Sequence, residues 1–297
     1  MAHDKAGKRI NSDKVFTAGV YIICALVFLT VAYPLYFVII ASVSNPLLVA
    51  KGQVVFLPQG INFFGYREVM SNSMIWTGFR NTAFYTVAGT AFKMLITLPA
   101  AYALSRDDMR GRKVIMLFMT FVMFFSGGLI PTYVLINNIG LTDSVWVFII
   151  PFAVNVYNLI IARTFFENSI PKEMYEAASL DGCNDFKFFI KIVLPLSKAI
   201  VSVIMLYYLV AQWNDFFTGL IYIRTNALYP LQLVLRDILI ANNVFSGGTG
   251  SLGAYDQMYA ETVKYAVIII SSLPMLIIYP FIQKYFEKGV MIGAIKG

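Results

Sequence analysis

The chain has 297 residues, of which 59% are hydrophobic and only 13% charged, with a mean hydropathy of +0.71 and a formal net charge of +7. A soluble domain carries about a quarter charged residues, so this composition excludes an ordinary water-soluble globule and points to a bilayer, which about 20 consecutive apolar residues cross as a helix. Two cysteines (Cys24, Cys183) and one histidine (His3, in the N-terminal tail) show no metal-ligand spacing and argue against a disulfide framework. No G-x-x-x-x-G-K-S/T loop occurs, which argues against nucleotide hydrolysis by the chain itself.

In chain order, residues 1–15 form a basic tail holding Lys5, Lys8, Arg9 and Lys14, followed by an apolar run at 16–42. A signal-peptide core is about 7–15 residues, so this longer run reads as a retained anchor. Further apolar runs at 79–105, 113–136, 144–165, 197–222 and 263–283 give six candidate spans. The expected architecture is an all-α membrane protein: a six-helix domain over 16–283 and a tail over 284–297, with no internal repeat. Segments 43–78, 137–143 and 223–262 lie on one side; within the last, "SGGTGSLG" (246–253) reads as a flexible bend, either a tolerated loop or a functional lid.

Lys and Arg placement orients the bundle. One set of connections, including both tails, holds sixteen basic residues; the other holds six (Lys51, Arg67, Arg80, Arg224, Arg236, Lys264), with Lys93 left inside a span. Both termini are therefore expected in the cytoplasm. The basic balance marks topology, so no nucleic-acid partner is expected.

Polar residues inside spans face a bundle interior or a wet path. The fourth span offers Asn155, Tyr157 and Asn158, and the fifth offers Gln212, Trp213, Asn214 and Asp215. Either helix–helix hydrogen bonding or contact with a translocated sugar explains them. Lys93, thirteen residues from both Arg80 and Arg106, falls near mid-bilayer. It is read either as a contact for an anionic sugar or as half of a structural ion pair with Asp215.

Residues 166–196, between the fourth and fifth spans, are polar. Ser169 is a candidate N-cap and Pro171 fits a first helical turn. Lys172–Leu180 reads as a short helix, Asp181-Gly182 as a turn, and 184–191 as a second short helix, with Pro195 at the entry to the fifth span. Small Ala177 and Ala178 permit close approach by another protein.

The pattern Glu176-Ala177-Ala178, three residues, Gly182, nine residues, then Ile192-x-Leu194-Pro195 resembles the EAA signature of ATP-binding cassette import permeases. "AAYALSR" (100–106), "QWNDFF" (212–217) and "KGVMIGAIKG" (288–297) resemble its carbohydrate-uptake branch, the maltose-type inner permease. "FFSGGLIPTY" (124–133) and "LYPLQLVLRDIL" (228–239) resemble the subgroup handling complex or acidic oligosaccharides. The resemblance implies the type I importer fold and a coupling helix seated in a cytoplasmic ATPase subunit. Glu176 would be the polar anchor, Ala177 and Ala178 the packing face and Gly182 the turn, with Leu180 and Asp181 in the same loop. It also implies a non-catalytic chain in the bacterial cytoplasmic membrane that binds no cofactor, ATP and Mg being held by two ATPase partners. A second, different permease chain, an extracytoplasmic solute-binding protein and the lipid bilayer complete the expected partners. The rival readings are an ATP-independent secondary carrier, which lacks a need for the docking loop, and an intramembrane enzyme, for which the spans lack paired aspartates or a Ser/His pair.

Overall fold

The computed structural model describes residues 4–247 and 263–280. His3, most of the Gly/Ser-rich bend at 246–253, the end of the sixth expected span and the C-terminal tail with "KGVMIGAIKG" lie outside the described residues. Among the described residues, all regular secondary structure is helical. The chain divides into two compact units, Met1–Ser71 with Ile238–Ile270, and Asn72–Asp237 with Ser271–Gly297.

In the first unit, α1 (Asp4–Ser42) carries the first span. Leu26, Val27, Phe28 and Leu29 are all exposed. Four successive residues face every side of a helix, so α1 is apolar all round and suited to lipid or to another apolar surface. Its C-terminal end is different: Ile40 and Ala41 pack with Val49, Val54, Phe37 and Tyr265. The chain after α1 folds back on that end through short helix α2 (Pro46–Ala50). Tyr33 and Tyr36 donate their hydroxyls to the carbonyls of Val55 and Phe56 at 3.2 and 2.5 Å. A further helix, α3 (Phe64–Ser71), closes the segment.

In the second unit the central element is α4 (Ser73–Ser105), capped at its start by the Asn72 side chain, which accepts from Met74 N at 3.0 Å. The cap sets the start six residues before the expected one. α5 (Arg112–Phe124) and α6 (Leu129–Asn138) follow, then α7 (Val156–Ser169), α8 (Lys172–Leu180), α9 (Asp185–Leu196), α10 (Lys198–Trp213), α11 (Phe217–Tyr222) and α12 (Leu231–Gly247). Helix α13 (Val263–Pro280) completes the described chain. α4 packs along both α7 and α10. One core sits at the C-terminal end of α4, where Leu98, Ala101 and Tyr102 meet Leu159, Phe166, Phe188, Ile204 and Tyr208. Another sits toward its start, where Tyr85 stacks on Phe148 at 4.2 Å.

Three expected spans are not straight helices. The third bends by 113° between α5 and α6. Gly128, at φ 84° and ψ 178°, takes a conformation closed to side-chain-bearing residues, and breaks the helix before Pro131. The fourth was expected over 144–165. Residues 144–155 instead form a single 3-10 turn (Val145–Phe148) and irregular chain, and α7 begins only at Val156. Pro151 has no amide proton to donate, Phe152 sits at φ 58°, and the Asn155 side chain caps α7 by accepting from Asn158 N at 3.1 Å. The fourteen residues of α7 are about 21 Å long. The fifth, expected over 197–222, begins where α10 turns 86° from α9 and breaks after Trp213, so 197–222 is not one helix.

The breaks leave backbone groups to satisfy, and α4 does so for the segment after α11. Asn81 donates its amide to the carbonyls of Ala227 and Tyr229 at 2.8 and 3.1 Å. Tyr85 donates to Leu228 O at 3.0 Å, and the Thr82 hydroxyl accepts from Leu231 N at 2.7 Å. Unpaired backbone groups would be costly away from water, so these three side chains make the irregular segment tenable.

Candidate coupling knob and polar seam

The expected short helix is present as α8, Lys172–Leu180. Ser169 does not cap it, because α7 runs through Ser169 and Pro171, at φ −61° and ψ 146°, stands at the cap with no side-chain bond. Glu173 in the first turn complements the positive end of the helix dipole. The other end closes as a Schellman turn: Gly182 N donates to Ser179 O at 3.0 Å and Cys183 N to Ala178 O at 2.9 Å. Gly182 is at φ 75°, a value most side-chain-bearing residues avoid. Asn184 then caps α9, accepting from Lys187 N at 2.8 Å. The helix continues past the expected end at 191, as a π turn over Phe189–Val193 in which Leu194 N donates to Phe189 O. Pro195 cannot donate, and its ring crowds the carbonyl four residues back; widening the turn relieves that contact.

The two helices form a knob with a greasy tip and a fixed base. Leu180 is 90% exposed and Phe186 74%. Glu176, Ala177, Asp181 and Gly182 are exposed, while Ala178 is partly buried against the core that holds Phe188 and Tyr102. Glu176 has no ion-pair partner among the described residues, and lines a cavity of about 290 Å³ together with Arg106, Lys172 and Tyr175.

The base is held by charges just beyond α4. The Arg106 guanidinium lies 3.5 Å from the centroid of the Tyr175 ring on α8. It also donates to both oxygens of Asp108 at 2.9 and 2.5 Å and to the Tyr102 hydroxyl at 3.2 Å. The Asp108 carboxylate holds Arg106 above the ordinary arginine range, and Arg106 in turn holds Asp108 below the ordinary carboxylate range. Asp107 bridges Lys172 on α8 and Arg112 on α5; the Lys172 ammonium lowers its pKa and Asp107 raises that of Lys172. Glu167 on α7 takes Arg163 at 2.9 Å and Arg112 at 3.7 Å. Four elements thus meet in one network. Sequence reasoning missed this brace; its visible signal is the cluster Arg106, Asp107, Asp108, Arg110, Arg112 directly after a span.

The expected path residues occupy unequal positions. Asn158 and Trp213 are buried. Trp213 donates Nε1 to Ser271 O at 3.2 Å and meets Phe79 edge-on at 5.6 Å. Asn155 is spent on the α7 cap, Asn214 donates to Val210 O at 2.9 Å, and Asp215 accepts from Thr218 N at 3.0 Å. Tyr157 is 57% exposed. Lys93 does not form the expected ion pair with Asp215: no such contact occurs within 4.0 Å. Its Nζ instead donates to Gln212 Oε1 on α10. Gln212 lies opposite Lys93 because Gly89 lets α10 approach; a Cβ on Gly89 would come within 3.0 Å of Gln212 Cδ. Below this pair the Thr97 and Tyr208 hydroxyls share a bond of 2.8 Å, and Tyr208 accepts from Asn155 N at 3.1 Å. A polar seam therefore runs between α4, α7 and α10.

Residues 74–292 match the family described as binding-protein-dependent transport system inner membrane component. The chain is 38% identical to the polygalacturonan/rhamnogalacturonan transport system permease protein YtcP of Bacillus subtilis, over 96% of this chain and 99% of that one. It is 36% identical to Protein LplC of the same organism, over 100% and 98% of the two chains. Among solved structures it is similar to a chain of a bacterial ABC transporter involved in the import of the acidic polysaccharide alginate. There the TM-score is 0.83 and the identity 32%, covering 93% of this chain and 98% of that one. An all-helical, multi-pass chain with this fold and these matches belongs to the family of inner membrane components of binding-protein-dependent transport systems, the permeases of ATP-binding cassette importers.

Proposed function

We propose that this chain is one of two permease subunits of an ATP-driven importer for uronate-containing oligosaccharides. The observation that carries the coupling role is the α8–α9 knob. An apolar tip, led by Leu180, and an unpaired carboxylate, Glu176, project from a base fixed by Arg106 and Asp107. An exposed leucine and an unpaired acid on a rigid support suit a cleft in a partner protein. Ala177 and Ala178 keep the helix slim enough to enter it, and Asp181-Gly182 turns the chain back. In this reading the partners are a second, different permease chain, two ATPase subunits that hold ATP and Mg, and an extracytoplasmic solute-binding protein. The chain itself binds no cofactor and catalyses nothing. The excess of Lys and Arg on the knob's side supports a cytoplasmic knob and cytoplasmic termini. ATP-driven closure of the ATPase pair shifts the permease between two states through differential contact with the knob.

The substrate class is supported by the relatives: one is named for polygalacturonan and rhamnogalacturonan, and one solved neighbour for alginate. Tyr157, Asn155 and Asn214 are the expected path residues with exposed surface for a passing sugar, and Asp215 is partly exposed; Trp213 and Asn158 support the seam from within. The test is reconstitution with the partner subunits and binding protein in vesicles. Trigalacturonate or trimannuronate should accumulate in an ATP-dependent way, and Glu176→Lys should abolish accumulation while the complex still assembles. Cysteine placed at Leu180 should crosslink to an ATPase subunit. Accumulation that survives Glu176→Lys, or crosslinks that never form, would sink the coupling role; accumulation of neither acidic probe would sink the substrate class.

A further inference from the structure

Lys93 carries a charge that no carboxylate touches: Asp215 acts on it electrostatically, but from beyond contact distance. It lies mid-way along α4, partly buried, and among the described residues no carboxylate oxygen comes within 4.0 Å of it. Its partners are neutral: the Gln212 side-chain oxygen and the face of Tyr208, whose centroid is 5.9 Å from Nζ. Both partners are themselves fixed. Gln212 donates Nε2 to the Phe148 carbonyl at 2.9 Å and is pressed against Gly89, so only its oxygen can turn to the lysine. Tyr208 is held through its hydroxyl by Thr97 and by the backbone of Asn155. Asp215, the obvious counter-ion, faces the amide of Thr218.

An ammonium has three donors, and Gln212 takes one. A lysine kept only for structure at this depth would be paired with an acid or replaced by an apolar side chain, since an intramembrane charge without a counter-ion is costly. Here the protein instead spends a buried glutamine, a glycine contact and a tyrosine on aiming the ammonium, with no carboxylate in contact with it. We infer that Lys93, oriented by Gln212 and Tyr208, is a binding site for a substrate carboxylate. It takes one uronate group by a charge-assisted hydrogen bond from a free Nζ proton. The inference rests on the oligouronate-importer reading and names the residue that selects for acid within it.

The test uses the reconstituted transporter with its binding protein and measures initial uptake of trigalacturonate and trimannuronate at subsaturating concentration. Lys93→Gln should lower uptake roughly thirtyfold, the loss expected when one partner of a hydrogen-bonded charge pair is removed. Gln212→Glu is nearly isosteric and keeps the lysine, but supplies an internal carboxylate; it should lower uptake comparably. The double variant Lys93→Gln with Gln212→Lys returns the cation to the same place from the facing helix and should restore most of the uptake. Wild-type uptake retained in Lys93→Gln or in Gln212→Glu overturns the inference and leaves the importer reading standing. Loss in both single variants without rescue in the double variant also overturns it, since Lys93 is then needed for packing. Wild-type vesicles that take up neither probe overturn the inference together with the reading beneath it.

Discussion

Replacing Arg106 by methionine keeps a side chain of comparable reach and removes the charged fork that ties the end of α4 to α8. The guanidinium sits 3.5 Å from the Tyr175 centroid, a cation–π contact of about 1 kcal/mol at a partly buried site. Its bond to the Tyr102 hydroxyl, 3.2 Å, is charge-assisted and contributes about 1 kcal/mol. The Asp108 pair is bidentate, but Asp108 is 65% exposed, so solvent screening reduces it to about 0.5 kcal/mol. Tyr102 and Asp108 stay on the α4 side, so undocking loses only the Tyr175 contact and the 3.8 Å approach to Asp185 on α9, which is 69% exposed and worth about 0.5 kcal/mol. A loss of about 1–1.5 kcal/mol lowers the ratio of docked to undocked knob by roughly five- to tenfold. Hydrogen exchange in the assembled transporter measures this directly. Amides of 174–183 should exchange about five- to tenfold faster in Arg106→Met, while the buried middle of α4 keeps its protection. Uptake per ATP hydrolysed should fall in parallel, because a loose knob lets the motor turn over without moving the bundle. Exchange in 174–183 within about twofold of wild type would falsify the brace, whatever happened to uptake.

Two further outcomes follow from local geometry. At Gly182 an added Cβ meets nothing within 4 Å, so substitution there tests backbone strain alone: Gly182→Ala should destabilise the turn by about 1 kcal/mol. Gly182→Asn should cost less and Gly182→Val more, read from exchange at the Cys183 amide; a flat series would show that the left-handed turn constrains nothing. Asp143 (φ 54°) accepts from the Thr225 hydroxyl at 2.7 Å and from the amides of Thr225 and Arg224, both at 2.9 Å. These bonds, the hydroxyl first, hold its carboxyl below the usual carboxylate range. A depressed folded-state pKa means the latch is fully present above the unfolded value, near 4, and is lost only as pH falls through the lower folded value. Protection of the Arg224 and Thr225 amides should therefore be flat from pH 7 to about 5 and fall only below about 4, whereas Asp143→Ala should abolish it at every pH.

The sequence exposes features that depend on few neighbours and hides those that depend on many. The bounds of α8 were legible because Pro171 and Gly182 act through their own backbone. Ser169 misled because a cap is defined by where the preceding helix stops, and α7 stops after it. Hydropathy located six apolar stretches but measures greasiness, not helical continuity. The 113° bend at Gly128 and the irregular chain before Asn155 are therefore invisible to it. For Lys93, formal charge suggested Asp215, yet Asp215 lies beyond the end of α10 and is committed to Thr218. Gln212 was legible as one of the polar residues of the fifth span, but a neutral side chain gives no sign of pairing with a lysine; only the packing of α4 on α10 at Gly89 reveals it as the partner. The Arg106 brace joins four elements, so no single window of sequence contains it.

The knob brace and the Lys93 pair share one helix and no residue, which makes their contributions separable. Thirteen residues part Lys93 from Arg106, about 20 Å along the axis, beyond the roughly 10 Å over which substitutions commonly interact. Arg106→Met should therefore slow uptake of acidic and esterified oligosaccharides by the same factor, whereas Lys93→Gln should change their ratio, and the double variant should show the product of the two effects. One feature of α4 gives this expectation an edge. Pro99 lies between the two sites and removes the amide that would bond to the carbonyl of Leu95, leaving a softer turn in an otherwise continuous helix. A soft turn passes little strain from the knob to the lysine, so the product rule should hold with Pro99 in place; a double variant that departs from the product by more than about twofold would refute the independence of the two sites.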